Sequence, residues 1–206
     1  QQLYIQVTRG ADIKRDPCFP KGVPQTVFLF TAPLVSPTAA QRETGASAIT
    51  ADDIRWARCD LKTVSLLGNV LMRQRAADDG HAETILLRDG FLTEGSSSNI
   101  FVVKNGVILA PPQDHRILAG ITYDLVIELA LKHGAAHEIR PVSEAELRSA
   151  DELWITSSSK EVLAITRLDG HPVGHGAAAG QPGPVTRQMF AWFRAFREDV
   201  MRRADG

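Results

Sequence analysis

Short runs of β-branched and aromatic residues, each closed by turn-forming residues, recur along this chain and outnumber its helical patterns. Residues 3–8 alternate as a strand does and end at Arg9-Gly10. Thr26-Val27-Phe28-Leu29-Phe30, inside an apolar stretch over residues 22–34, reads as a second strand of the same sheet. Residues 46–50, 84–87, 99–103, 107–109 and 153–156 read as further strands. Asn105-Gly106 tolerates the positive φ angles of a tight hairpin, so an antiparallel meander is expected there. Helices do not alternate regularly with these strands, which favours an α+β architecture over a doubly wound sheet.

The helical signals are fewer. Leu66, Leu67, Val70, Leu71 and Gln74 fall at helical spacing ahead of Asp78-Asp79-Gly80, which predicts an amphipathic helix starting just after Lys62. Gly120-Ile121-Thr122 opens a second helix, with Leu125, Val126, Leu129 and Ala130 on one face and Gly134 past its end. A short helix is expected near residues 143–149 and a last one over 185–203. The polar, proline-bearing residues 36–43 read as a linker, with a domain boundary near residue 37. The chain starts without Met and directly in a strand pattern, so its natural N-terminus is expected to lie upstream.

Lys+Arg 23 against Asp+Glu 24 leaves no basic excess of the kind that nucleic acid or an anionic membrane selects. Cys18 and Cys59 form neither a metal-ligand spacing nor a disulfide framework, which fits a reducing cytoplasm. No stretch has the length of a membrane span.

A few polar residues stand where chemistry is possible, each with a plain alternative. Lys62, in Arg58-Cys59-Asp60-Leu61-Lys62-Thr63, precedes an apolar helix, where partial burial would leave a less protonated and more nucleophilic amine; most lysines are simply solvated. Glu94 opens Gly95-Ser96-Ser97-Ser98-Asn99 ahead of an apolar strand, as a surface turn would. A carboxylate there can also hold a protonated ring nitrogen. Thr122 either caps a helix or joins its free amides in binding an anion. Thr156-Ser157-Ser158-Ser159 reads alone as a polar turn.

The segments CDLKTVSLLGNVL around Lys62 and LTEGSSSNIF around Glu94 resemble, in content, order and spacing, the lysine and glutamate motifs of fold-type IV pyridoxal-phosphate-dependent aminotransferases. The similarity runs over essentially the whole chain. EGSSSN is most like the D-amino acid (D-alanine) transaminase group; branched-chain aminotransferases and aminodeoxychorismate lyase usually differ there. The resemblance implies a fold-type IV architecture in which residues 1–36 are the tail end of a smaller N-terminal domain and residues 37–206 are the large cofactor-binding domain. It implies pyridoxal 5'-phosphate as cofactor, carried by Lys62 as a Schiff base, with Glu94 at the pyridine nitrogen. Ser96, Ser97 and Ser98 would bind the phosphate or orient Glu94. Leu118 would pack on the ring, and Ile121, Thr122 and Ser158 would hold the phosphate. Lys62 would shuttle the proton in a two-stage amino transfer from an amino acid to a 2-oxo acid.

The same resemblance implies a homodimer in which Arg15 takes the substrate carboxylate across the subunit interface, a task suited to a guanidinium fork. The family pattern has a histidine two residues later and this chain has Pro17, so the preference for D substrates stays open. The family's phosphate-gripping arginine has no match in these residues. Another enzyme of the family, or an inactive cofactor-binding fragment, are the alternatives. No metal is expected: His133 and His137 are four apart, but Gly134 interrupts the helix between them. The glycines of residues 174–180 follow no dinucleotide-binding pattern and read as a mobile loop. Phe190, Trp192, Phe193 and Phe196 read as core or dimer contacts.

Overall fold

A computed structural model describes residues 1–201. The chain divides into two compact units, Gln1–Ser36 and the remainder from Pro37 onward. In the first, strands β1 (Gln2–Thr8) and β2 (Thr26–Ala32) pair antiparallel, with Tyr4 opposite Phe30. Their rings stack at 5.1 Å, a cross-strand contact of the kind that stabilises a ladder. Ile5, Val7, Val27 and Leu29 remain exposed.

The second unit is built on nine strands among the described residues. In chain order its elements are α1 (Ala39–Thr44), β3 (Ala46–Asp52), α2 (Leu67–Asp78), β4 (Glu83–Arg88), β5 (Phe91–Gly95), β6 (Asn99–Lys104), β7 (Val107–Ala110), α3 (Ile121–Lys132), β8 (His137–Ile139), α4 (Glu144–Arg148), β9 (Glu152–Ser157), β10 (Glu161–Leu168), β11 (His171–Pro172) and α5 (Pro184–Phe196). The sheet order is β5-β4-β3-β10-β9-β6-β7-β8, with β11 on β10. Pairs β3–β4, β3–β10 and β7–β8 are parallel and the others antiparallel. The expected α+β class is the one observed, but the expected meander is interrupted. After β5 at the sheet edge, residues 96–98 carry the chain to β6, which lies between β9 and β7. A crossing, not a hairpin, thus follows Glu94.

Strands β6, β9 and β10 are buried on both faces, which explains their continuous apolar runs. Ile100, Val102, Leu153, Ile155, Leu163 and Ile165 fill one face with Leu147 of α4. Phe101, Val103, Trp154 and Val162 fill the other, covered by Val126 and Leu129 of α3 and by Met189 and Phe193 of α5. The aromatic residues of the last helix are therefore core: Phe193 is buried and Phe190, Trp192 and Phe196 pack beside it. His133 stacks on Trp192 at 4.4 Å.

Helix α5 is fixed at its start by a buried acid. Glu152 accepts the Val185 amide at 3.0 Å, the Thr186 amide at 2.7 Å and the Thr186 hydroxyl at 2.6 Å, which satisfies donors that a helix N-terminus leaves unpaired. A Cβ on Gly183 would lie 2.0 Å from Glu152 Cδ. Gly183→Ala is therefore expected to displace the cap and lower the unfolding free energy by ~1–3 kcal/mol, read by urea denaturation. An unchanged midpoint at unchanged slope would show that the contact is dispensable.

Several expectations need correction. Residues 39–44 form α1 and not part of a linker, because Thr38 and Gln41 make a reciprocal capping box. Helix α2 begins at Leu67 and not just after Lys62, since Leu66 supplies no side-chain cap and residues 61–66 are irregular. Its apolar residues are mostly uncovered: Leu67 is 73% exposed, and within the helix only Ala76 is buried. The last helix gives way after Phe196 to a π-helical turn, Arg197–Met201; residues 202 and 203 lie outside the described residues. The glycine-rich segment is tied down by Gly174 N–H to Ala150 O (3.2 Å) and Gly180 N–H to Val173 O (2.8 Å).

Candidate active site

Glu94 sits next to last in β5, in a strand and not in the turn its sequence resembles. Its side chain is buried and held from three sides. Arg55 Nη1 donates to Oε1, Asn99 Nδ2 donates to Oε2 at 3.1 Å, and the Leu118 amide donates at 3.2 Å. Asn99 Nδ2 also donates to Leu118 O at 3.0 Å, so one amide group fastens the residue before the 119–122 segment to the carboxylate. Gly120 must remain small beside it, since a Cβ there would lie 2.2 Å from Asn99 Oδ1.

Arg55 belongs to a wider network. Its Nε and Nη2 donate to Asp53 at 2.9 Å each, and Nη2 donates to Arg116 O at 3.0 Å. Arg88 adds a second cation at 3.1 Å from Asp53. For Asp53, burial pushes the carboxyl up, but the hydrogen bonds and charge of Arg55 outweigh it and hold it below the ordinary value. For Glu94 burial wins: it pushes the carboxyl up from an ordinary 4.5 to about 7, against the charge and hydrogen bond of Arg55 and the Leu118 amide. Neither Arg55 nor Asn99 was singled out from sequence. Arg55 had only a weak signal, its position two residues after an acid.

The three serines converge on a different carboxylate, Glu83, which opens β4 with no exposed surface. Ser96 Oγ donates to Glu83 Oε1, while Ser97 Oγ (3.1 Å) and Ser98 Oγ (2.6 Å) donate to Oε2. The amides of Ser96 (3.1 Å) and Thr84 (2.9 Å) add to Oε1. Lys160 Nζ lies 3.4 Å from Oε2. Burial pushes Glu83 up, yet the Lys160 charge and the serine bonds outweigh it, and the carboxyl lies below its ordinary value. Glu83 too was passed over; an acid opening an apolar strand was the available signal.

Lys62 lies in the irregular segment ahead of α2 with its side chain exposed, so the expected partial burial is not found. The apolar neighbours that would have covered the amine, Leu61, Val64 and Leu66, are themselves exposed. Leu118 is half-buried beside Glu94, Ile121 is exposed and Thr122 half-buried. Helix α3 starts at Gly120 without a side-chain cap, leaving first-turn amides and the positive dipole end for an anion. Ser158 is exposed in the turn after β9, and the Ser157 hydroxyl accepts the Lys160 amide at 3.2 Å. Arg15 belongs to the first unit, in the exposed connection between β1 and β2.

The buried Thr156 hydroxyl has no partner among the described residues, although it stands opposite Asn99 in the β6–β9 ladder. A buried orphan hydroxyl and an uncapped helix start as donors, with a buried carboxylate as acceptor, fit a phosphate-bearing pyridine such as pyridoxal phosphate.

Sheet and helices together have the fold-type IV architecture of aminotransferases. The chain belongs to the class IV amino-transferases, whose family model matches residues 1–168. It is 43% identical over 187 residues to D-alanine aminotransferase of Bacillus licheniformis, which covers 91% of this chain and 64% of that protein. The Escherichia coli branched-chain amino acid aminotransferase superimposes with a TM-score of 0.80 at 28% identity, covering 94% of this chain and 64% of that one. The branched-chain aminotransferase of the thermophilic archaeon Thermoproteus uzoniensis, solved with norvaline, gives a TM-score of 0.77 at 26% identity, over 94% of this chain and 64% of that one. The chain thus spans somewhat under two thirds of the length of each of these three relatives. Among the described residues no helix is long and apolar enough to cross a membrane.

Proposed function

We propose that this chain carries the cofactor-binding part of a pyridoxal-phosphate-dependent aminotransferase that moves an amino group between an amino acid, D-alanine or a related D-amino acid, and a 2-oxo acid. The observation that carries this reading is the buried Glu94 held by Arg55, Asn99 and the Leu118 amide beside an uncapped helix start. The class IV family membership and the D-alanine aminotransferase relative support it.

Each residue then has a task. Lys62 provides the amine that holds the cofactor covalently and, once released, moves the proton at the substrate Cα. Glu94 faces the ring nitrogen and favours its protonated form. Pyridoxal phosphate, when bound, supplies the electron sink that takes up the pair left on Cα. The amides of Ile121 and Thr122, the Thr122 hydroxyl and Ser158 receive the phosphate dianion, while Leu118 supports the ring face. Arg15 receives a substrate carboxylate from the partner subunit of a homodimer. Residues 1–36 are on this reading the end of a smaller domain, and the protein works in the cytoplasm.

Ser96 and Ser98 are better suited to holding the crossing after β5 than to binding phosphate, because their single protons are given to Glu83. The branched-chain reading is kept as the second one, on the strength of the solved structures named above. Cofactor titration followed by a panel of D and L amino acids separates the outcomes. Saturable binding with faster transfer from D-alanine than from L-valine is expected; the reverse order would favour the branched-chain reading. A chain that shows no absorbance change at saturating cofactor would overturn both.

A further inference from the structure

Residues 96–98 and 157–160 leave neighbouring strands at the same end of the sheet. Asn99, the first residue of β6, stands opposite Thr156, near the end of the antiparallel strand β9. The loops preceding one and following the other therefore lie side by side. Between them sits Glu83, fully buried, with the Ser96, Ser97 and Ser98 hydroxyls and the Ser96 amide on one side and Lys160 on the other. Lys160 also donates to Ala82 O at 3.3 Å, and its own amide is held by Ser157 Oγ at 3.2 Å.

Resting on the cofactor reading above, we propose that Glu83 and Lys160 are a positioning pair. They fasten the crossing over residues 96–98 to the turn over residues 157–160, so that Glu94 and the phosphate-facing hydroxyls of the turn are presented at one fixed spacing. A buried carboxylate that accepts five hydrogen bonds from serine hydroxyls and backbone amides has little freedom to re-orient, because each lost bond leaves an unsatisfied buried group. The serine hydroxyls give their protons inward to it, so toward a ligand those hydroxyls offer lone pairs only. A phosphate dianion must then find its hydroxyl donors on the α3 start and on the turn after β9. The position of that turn relative to Glu94 is set through Lys160. Neither Glu83 nor Lys160 touches the cofactor; both act through the segments they hold.

Two readouts test the pair. In the cofactor-free chain, Lys160→Met and Glu83→Gln are each expected to speed amide exchange in both segments, at Ser96 and at Lys160, by about tenfold, with Phe101 to Val103 unchanged. Lys160→Arg is expected to restore slow exchange. The second readout is the ratio of affinities for pyridoxal 5'-phosphate and for pyridoxal, which isolates what the phosphate contributes. Lys160→Met is expected to lower that ratio by about three- to tenfold, with pyridoxal affinity little changed. Faster exchange confined to residues 157–160 in Lys160→Met, or to one of the two segments in Glu83→Gln, or an unchanged ratio, would overturn the proposal. Wild-type chain that binds the two ligands equally would overturn the cofactor reading, and the exchange experiment would still decide whether the two loops are coupled.

Discussion

Lys62→Ala is expected to abolish the borohydride-stable cofactor adduct on the peptide that carries residue 62 and to lower amino-group transfer by about 10²–10⁴. Two of the other lysines are already engaged. Lys104 Nζ is hydrogen-bonded to Ser149 O, and Lys160 is paired with Glu83. Lys132 closes α3, and Lys14 and Lys21 belong to the first unit. Lys62 has no hydrogen-bond or ion-pair partner among the described residues and stands on the exposed approach to α2. Because its side chain is exposed, the substitution is expected to leave stability within ~0.5 kcal/mol, so loss of the adduct reports chemistry and not unfolding. Reduction that labels a different lysine in wild type, or transfer that survives in the variant, would remove Lys62 from the reaction.

The segments around Lys62 and Glu94 were legible as a family resemblance because each is one contiguous run of residues. Their partners were not. The Arg55–Glu94 bond joins residues 39 apart and the Lys160–Glu83 bond residues 77 apart, so only the crossing of strands brings them together. The serine run illustrates the difference. Hydroxyls beside Glu94 in the chain point to Glu83 in the fold, because β4 and β5 are hydrogen-bonded neighbours and place Glu83 under the crossing.

Secondary structure followed a similar division. The hairpin at Asn105-Gly106 has both residues at positive φ, as the dipeptide predicts. Strands β5 and β10 escaped notice because their sequences alternate poorly. Phe91-Leu92-Thr93-Glu94-Gly95 buries its polar residues in the charge network, and β10 is apolar toward both faces. Helix α1 was missed although Thr38 and Gln41 carry a capping-box spacing, since the proline before them outweighed it. The apolar spacing of α2 indicated a helix, and most of its apolar residues are uncovered: periodicity shows where apolar residues fall, and what covers them depends on atoms outside the helix.

Glu94→Gln is expected to keep the fold and to lower the proton-transfer rate by about 10²–10³, the cost of removing one charge that is aimed at a developing charge. The fold survives because glutamine can still accept the Leu118 amide, and because Arg55 remains neutralised by Asp53 through two hydrogen bonds of 2.9 Å. A stability measurement separates this electrostatic role from a merely structural one. Glu94 has its folded-state value raised from 4.5 to about 7, so in the cofactor-free chain its contribution to stability is fully present below about 4.5 and is lost as pH rises through about 7. The rise corresponds to ~3 kcal/mol between those limits. Wild type is therefore expected to lose stability relative to Glu94→Gln as pH is raised across that window, since a buried carboxylate must ionise in one and nothing must ionise in the other. Arg55→Met removes the cation that opposes burial, and should move the upper limit of the window to higher pH. Bound cofactor should move it the opposite way, because a protonated ring nitrogen beside Glu94 favours the carboxylate. Urea titrations of the three chains at several pH values, with and without cofactor, read all of this. Parallel stability curves for wild type and Glu94→Gln would show that Glu94 ionises alike in the folded and the unfolded chain, and an upper limit that bound cofactor leaves unmoved would remove it from the ring nitrogen.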